Sequence, residues 1–320
     1  MKKQFKPKTR EELKKLVRDE NINLGSIDTS LITNMGNLFI GSNRKDFSGI
    51  ETWDTSNVID MGFMFDFNKS FNHNINNWDV SKVKDMECMF NCAESFNQPL
   101  DKWNVSNVEN MRYIFFSASS FNQDINNWDV SKVKDMEGIF NYAESFNQPL
   151  DKWNVSNVEN MSYMFYGAEK FDNDINSWDT SNVKSMENMF TDCTNFNQPL
   201  NSWNTAKVEE MGCMFENAES FNQNINNWNV SKVENMFAMF SGAESFNQPL
   251  NNWDVSNVKD MSHMFCRAYS FNQPLDKWDV SNVKNMENMF SGAYSFKQSL
   301  DNWKVSNNLI NCILHKTDYS

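Results

Sequence analysis

The chain is poor in the residues that usually carry chemistry. Its 320 residues include three His and six Cys, and no apolar run approaches the roughly 18 residues that a membrane-spanning helix needs. His73, His263 and His315 share no spacing. Cys88 with Cys92, and His263 with Cys266, could each offer two metal ligands, but structural zinc takes four. The two pairs stand too far apart in sequence to combine. Only ten Gly are present, and none builds a phosphate-cradling loop. A His-Glu-x-x-His pair and a nucleophile elbow are missing too. An enzyme is therefore not expected, and neither is a cofactor. Basic residues are outnumbered, with 29 Lys and Arg against 42 Asp and Glu, for a net charge of −13. That balance argues against nucleic acid, because phosphate binding needs clustered Lys and Arg.

Aromatic residues are abundant: 27 Phe and 11 Trp, beside 20 Met. All the Trp fall on one progression from Trp53 to Trp303, with every gap 25 residues. Such regularity marks a tandem repeat. With the Trp as position 0, Val recurs at position 5 (Val58 to Val283) and Met at position 8 (Met61 to Met286). Phe recurs at position 12 (Phe65 to Phe290) and at position 18 (Phe71 to Phe296). Position 21 alternates a polar residue with Pro from Asn74 to Pro249, which points to a doubled, two-coil unit. Before Trp53 the period slips, as Ile27-Asp-Thr-Ser30 precedes Trp53-Asp-Thr-Ser56 by 26 residues.

Within one repeat, Leu100-x-x-Trp103-x-Val105 reads as a short strand, and Val108, Met111, Phe115 and Ala118 follow at helical spacing. Ser106 with Glu109 predicts a capping box. One coil cannot bury enough apolar surface alone, so the coils must stack. The expected fold is a repeat solenoid of about twelve 25-residue coils, with short parallel strands on a concave side and short helices on a convex side. Three parts are expected: an N-terminal capping helix within 1–22, a solenoid over 23–308, and a C-terminal cap or tail over 309–320. Thr9-Arg-Glu-Glu12 opens the cap, and Leu13, Leu16 and Val17 form its apolar face.

The run Phe96-Asn-Gln-Pro-Leu-Asp-Lys-Trp103-Asn-Val-Ser-Asn-Val108-Glu-Asn-Met111 resembles the repeat of BspA-like leucine-rich-repeat bacterial surface proteins. The resemblance covers residues 24–307. It implies a leucine-rich-repeat-like solenoid and a cell-surface role in adhesion or host interaction, and it brings no catalytic residues. The opening Met1-Lys-Lys-Gln-Phe-Lys-Pro-Lys has the basic region of a signal peptide without the apolar stretch that should follow, so a cytoplasmic location stands beside a surface or secreted one.

Two surfaces are candidates for binding. The first carries Asp54, Asp79, Asp129, Asp179, Asp254 and Asp279 at position 1, with Lys102, Lys152 and Lys277 at position 24. It is either a solvated face or a binding face, and calcium is a further option for its carboxylates. The second carries variable residues, many of them aromatic, at positions 9, 10, 13 and 14, including Tyr113, Phe116, Tyr163 and Tyr166. A row of Asn at position 19 reads as structural, since stacked amides can satisfy backbone groups. The expected partner is a protein, basic or of extracellular-matrix type, bound by a monomer. An intracellular interaction scaffold or acidic inhibitor is the alternative.

Overall fold

The computed structural model describes residues 3–304. The chain divides into two compact units, Met1–Asn157 and Val158–Ser320, which are taken in turn. The expected C-terminal cap over 309–320 lies outside the described residues.

Unit one opens with α1, Arg10–Arg18. The Thr9 hydroxyl caps it by accepting the Glu12 N–H at 3.2 Å, and Glu12 reaches back to the Lys8 N–H at 2.7 Å. Glu11 and Glu12 sit in the first turn and Lys15 and Arg18 in the last, each sign matching the helix dipole. Leu13 and Val17, one turn apart, are buried. The slipped coil follows in register. Asn34 pairs with Asp60 in a parallel bridge, so Ile27 occupies the place that Trp holds elsewhere.

The coil from Trp78 shows how the repeat closes. The Trp78 N–H donates to Ile75, that of Val83 to Val80, and that of Phe96 to Ala93, each a three-residue turn. Lys84 donates back to Ile59 of the preceding coil. The stretch from Met86 then does something a helix cannot. Met86, Cys88, Phe90 and Cys92 donate forward to Asn110, Arg112, Ile114 and Phe116 of the following coil, at 2.7–2.9 Å. Met89, Asn91 and Ala93 donate within their own coil, three residues back.

This corrects the expected helices and strands. Among the described residues α1 is the one α-helix, with short 3-10 turns at Leu24–Ser26 and Ile50–Thr52. Strand pairing among the described residues is reduced to single parallel bridges, Phe5 to Ile27 and a series at position 7 such as Asp60 to Asp85 and Asp85 to Asn110. The reason lies at positions 10 and 14. Cys88, Tyr113, Cys92 and Ser117 all have φ near +50°, as do Gly138 and most of their counterparts. A left-handed residue every fourth place turns the chain back before a helix can propagate. The 3-4-3 spacing of apolar residues therefore serves a run of β-turns with the same inward face.

Three aromatic columns fill the core of each unit. In unit one Trp103 and Trp128 stack at 6.3 Å between centroids, Phe90 and Phe115 at 5.6 Å, and Phe96 and Phe121 at 6.0 Å. Within the coil Phe90 lies 4.1 Å from Phe96. Unit two repeats the arrangement, with Trp178 and Trp203 at 6.4 Å and Phe190 and Phe215 at 5.6 Å. Offset stacking of this kind adds roughly 0.5–1.5 kcal/mol per pair beyond buried area. The indole N–H groups bond across coils: Trp103 donates to the Ile75 carbonyl at 3.1 Å, and Trp203 to Ile175 at 3.1 Å.

Candidate functional site

The position-1 row forms at the start of each coil's second turn. Asp79 accepts the Ser81 N–H at 3.0 Å, Asp129 that of Ser131 at 3.1 Å, and Asp54 that of Ser56 at 3.1 Å. In unit two Asp179, Asp254 and Asp279 accept from Ser181, Ser256 and Ser281 at 3.0–3.1 Å. These are Asx-turns, which short carboxylate and amide side chains make readily. All six Asp are exposed. The hydroxyl and then the backbone N–H of the following Ser hold Asp79, Asp129, Asp179 and Asp279 below the usual carboxylate range. The row is thus a fixed series of charges that also shapes the turn beneath it.

The Lys residues beside it are exposed and less uniform. Lys102 reaches Asn77 of the preceding coil with its ammonium at 3.0 Å, and its backbone N–H donates to Asn76 at 3.0 Å. The Lys152 N–H donates to Asn126 at 3.0 Å, while Lys277 contributes an exposed side chain. The row in unit one thus includes Asp54, Asp79, Lys102, Asp129 and Lys152, and that in unit two Asp179, Asp254, Lys277 and Asp279.

The position-19 Asn residues carry backbone duty. Asn72 accepts the Asn97 N–H and the Gln98 amide, both at 3.0 Å, and Asn222 does the same for Asn247 and Gln248. A second Asx row had not been anticipated. Asp60, Asp85 and Asn110 at position 7 accept the N–H two residues on, at 2.9–3.2 Å, and Asn160 and Asp260 do so in unit two at 2.8–3.0 Å. Its sequence signal was an unbroken series of Asn, Asp, Ser or Glu just before the position-8 Met.

Exposed charges at position 6 pair between coils, Lys84 with Glu109 at 3.3 Å and Lys184 with Glu159 at 2.7 Å. Such pairs contribute little, about 0–1 kcal/mol each. The variable aromatic residues gather at the turn tips. Tyr113 meets Phe116 at 5.8 Å in unit one, and Tyr163 meets Tyr166 at 6.1 Å in unit two. Arg112 adds an ion pair to Glu137 at 2.6 Å, and Glu137 also accepts the Tyr113 hydroxyl.

Cysteine chemistry is muted by burial, which pushes the Cys88 thiol up to about 12 and the Cys213 thiol higher. Cys193, in the Ala place of its coil, donates its thiol to the Phe165 carbonyl at 2.8 Å. Among the described residues no three His, Cys, Asp or Glu side chains are arranged to hold a metal ion. No helix among them is long and apolar enough to cross a membrane.

No curated protein matches the chain. Among solved structures, the chain in "Crystal structure of TLR13-ssRNA13 complex" is similar at 11% identity and a TM-score of 0.23, over 96% of this chain and 51% of that one. The protein thus spans about half the length of that neighbour. The family described as "Mycoplasma protein of unknown function, DUF285" matches residues 8–125, 99–202, 146–249 and 223–312. Because those overlapping matches run without a break from residue 8 to residue 312, the chain belongs to the DUF285 family.

Proposed function

We propose that the protein is a non-enzymatic binding repeat that presents its position-1 Asp row to a basic protein partner. The observation that carries this reading is the Asx geometry. Asp79, Asp129, Asp179 and Asp279 stay charged and exposed at fixed places, so a partner spends little ordering them. Contacts of this kind are individually weak and add along the array. The resemblance to BspA-like repeats supports a surface location and an adhesive role, which fractionation of the native cells would test.

Changing Asp79, Asp129, Asp179 and Asp254 together to Asn gives a clean experiment. Asn already occupies this place in other coils, and Asn104 and Asn154 accept the Ser N–H at 3.2 Å as the Asp residues do. The variant should fold normally. Against a Lys-rich peptide as probe, the native chain should bind and should weaken as salt rises from about 50 to 300 mM, since exposed pairing is screened within about 8 Å at physiological salt. The quadruple variant should lose most of that affinity. Unchanged binding by the variant would end the proposal.

A further inference from the structure

One stretch of unit two, beside the acidic row and sharing its position 24, is free of charge over three successive coils. Residues 194–206, 220–231 and 245–253 contain no Asp, Glu, Lys, Arg or His, in a chain whose net charge is −13. The equivalent stretches elsewhere are interrupted by charge, as at Asp101 and Lys102, Asp124 and Asp129, Asp151 and Lys152, or Asp276 and Lys277. The neutral stretches meet at a shallow cleft of about 530 Å³, lined by Asn226 together with Pro199, Asn201, Gln223, Asn224, Asn227 and Asn252. Its volume is in the range of ligand clefts.

The hydrogen-bond inventory of this cleft is uneven. The fold uses one end of most amides and leaves the other. Asn224 accepts the Asn226 N–H at 3.0 Å, which identifies its oxygen and leaves its NH2 without a partner among the described residues. Asn201 accepts from Asn176 at 3.2 Å, again leaving its NH2. Gln223 donates its NH2 to Asn197 at 2.9–3.0 Å and leaves its oxygen. Asn227 donates to the Asn201 carbonyl at 2.7 Å and leaves its oxygen. The Asn252 side chain has no partner among the described residues, whereas Asn226 is satisfied at both ends. Asn201 and Asn224 therefore present donors and Gln223 and Asn227 present acceptors over one patch, as their hydrogen-bond partners fix.

The chemistry of a ligand follows by elimination. An ionic ligand would find no counter-charge among the lining residues. An apolar ligand would find only the Pro199 ring. A protein partner would find neither the aromatic nor the Arg anchors that carry interface energy. A neutral polyhydroxyl compound fits, because each hydroxyl both donates and accepts and can bridge neighbouring amide N–H and C=O groups. Its C–H face can rest on Pro199. We propose that this cleft binds a neutral oligosaccharide, the repeat spacing suiting a chain with regularly placed hydroxyls. The inference does not rest on the acidic row.

The test uses the full chain with glucose, mannose and N-acetylglucosamine tetrasaccharides as probes, followed by saturation-transfer NMR and titration. At least one should bind, with affinity unchanged within twofold between 50 and 500 mM salt. The pair Asn201→Ala and Asn252→Ala together should weaken that binding at least tenfold. Both side chains are exposed, and Asn252 holds nothing in the fold, so the melting curve should move little. Asn77→Ala, at the Asn252 place of a charged coil, should bind as the native chain does. Three results would overturn the proposal: no tetrasaccharide binding, equal binding by the double variant, or binding confined to sulfated saccharides and lost in salt. Because salt independence is the signature here and salt dependence the signature of the acidic row, failure of either reading leaves the other distinguishable.

Discussion

Arg44 ends α1 by donating its Nη1 to the carbonyl of Val17 at 3.1 Å. The same guanidinium reaches the carbonyls of Asp19 at 3.2 Å, Ile22, and Asp46 at 2.6 Å. It is 2% exposed and satisfied by backbone oxygens alone. Helix-end carbonyls with no intrahelical partner need such a donor when buried. Arg44→Ala should therefore release α1 from the first coil at a cost of about 2–4 kcal/mol. Limited proteolysis should then cut within residues 1–30 while later coils resist. Equal protease resistance in both proteins would show that α1 is held by Leu13 and Val17 without it.

The left-handed places predict a stability pattern. Ser117 and His263 sit at φ +51° and +58°. A side chain there costs about 1–2 kcal/mol, of which Gly returns part to unfolded-chain entropy. Ser117→Gly and His263→Gly should each raise stability by about 0.5–1 kcal/mol. Gly242→Ala should do the reverse, since its φ of +69° strains any side chain and its Cβ would displace the Asn217 Oδ1. Denaturant midpoints would check the signs, and a loss of stability in both Gly variants would contradict the account.

Trp203→Phe probes the column from another side. An aromatic ring survives, but the Ile175 carbonyl loses the indole N–H and keeps only the Trp178 backbone N–H at 3.2 Å. One lost hydrogen bond plus the lost volume should cost about 1–3 kcal/mol. A thermal melt within one degree of the native curve would mean that water or a shifted coil replaces the indole N–H.

Asp66 predicts a pH effect. It is buried beside Asn68, which stands where other coils carry Ala and has neither amide atom partnered. Burial pushes the Asp66 carboxyl up to about 6. A raised folded value means that its contribution is fully present below the unfolded value near 4 and is lost as pH rises through 6. Asp66→Asn should therefore match the native protein at pH 4 and exceed it by on the order of 1–2 kcal/mol at pH 7.5. Equal stability at both pH values would show that the native carboxylate is solvated.

The repeat, its aromatic columns and the capped first helix could all be read from residue spacing, because stacking demands the same inward side chain in every coil. The turns at positions 8–15 could not be read from apolar spacing, which suits helix and turn alike. The distinguishing marks were present in Gly138, Gly167, Gly242 and Gly292, with Asn188, Asn217 and Asn288 at equivalent places. Those residue types favour positive φ, and their recurrence every fourth residue is incompatible with a helix. The position-1 Asp residues were legible as exposed. Their Asx-turns were not, since the same residues suit an open face. The amide cleft was hidden for another reason: Asn abundance looks like composition until the fold shows which end of each amide is spent.

The forward hydrogen bonds from Met86, Cys88, Phe90 and Cys92 recur in unit two from Met186, Asn188, Phe190 and Asp192, always toward the following coil. Along this strip each of these coils is a one-way piece, with donors on one edge and acceptors on the other. Coils can therefore be joined in a single order, and a reversed coil would confront donors with donors. The same polarity forbids two copies from mating through identical edges of this strip. Any lengthening of the array must proceed head to tail, as duplication of a two-coil unit within one gene would deliver it.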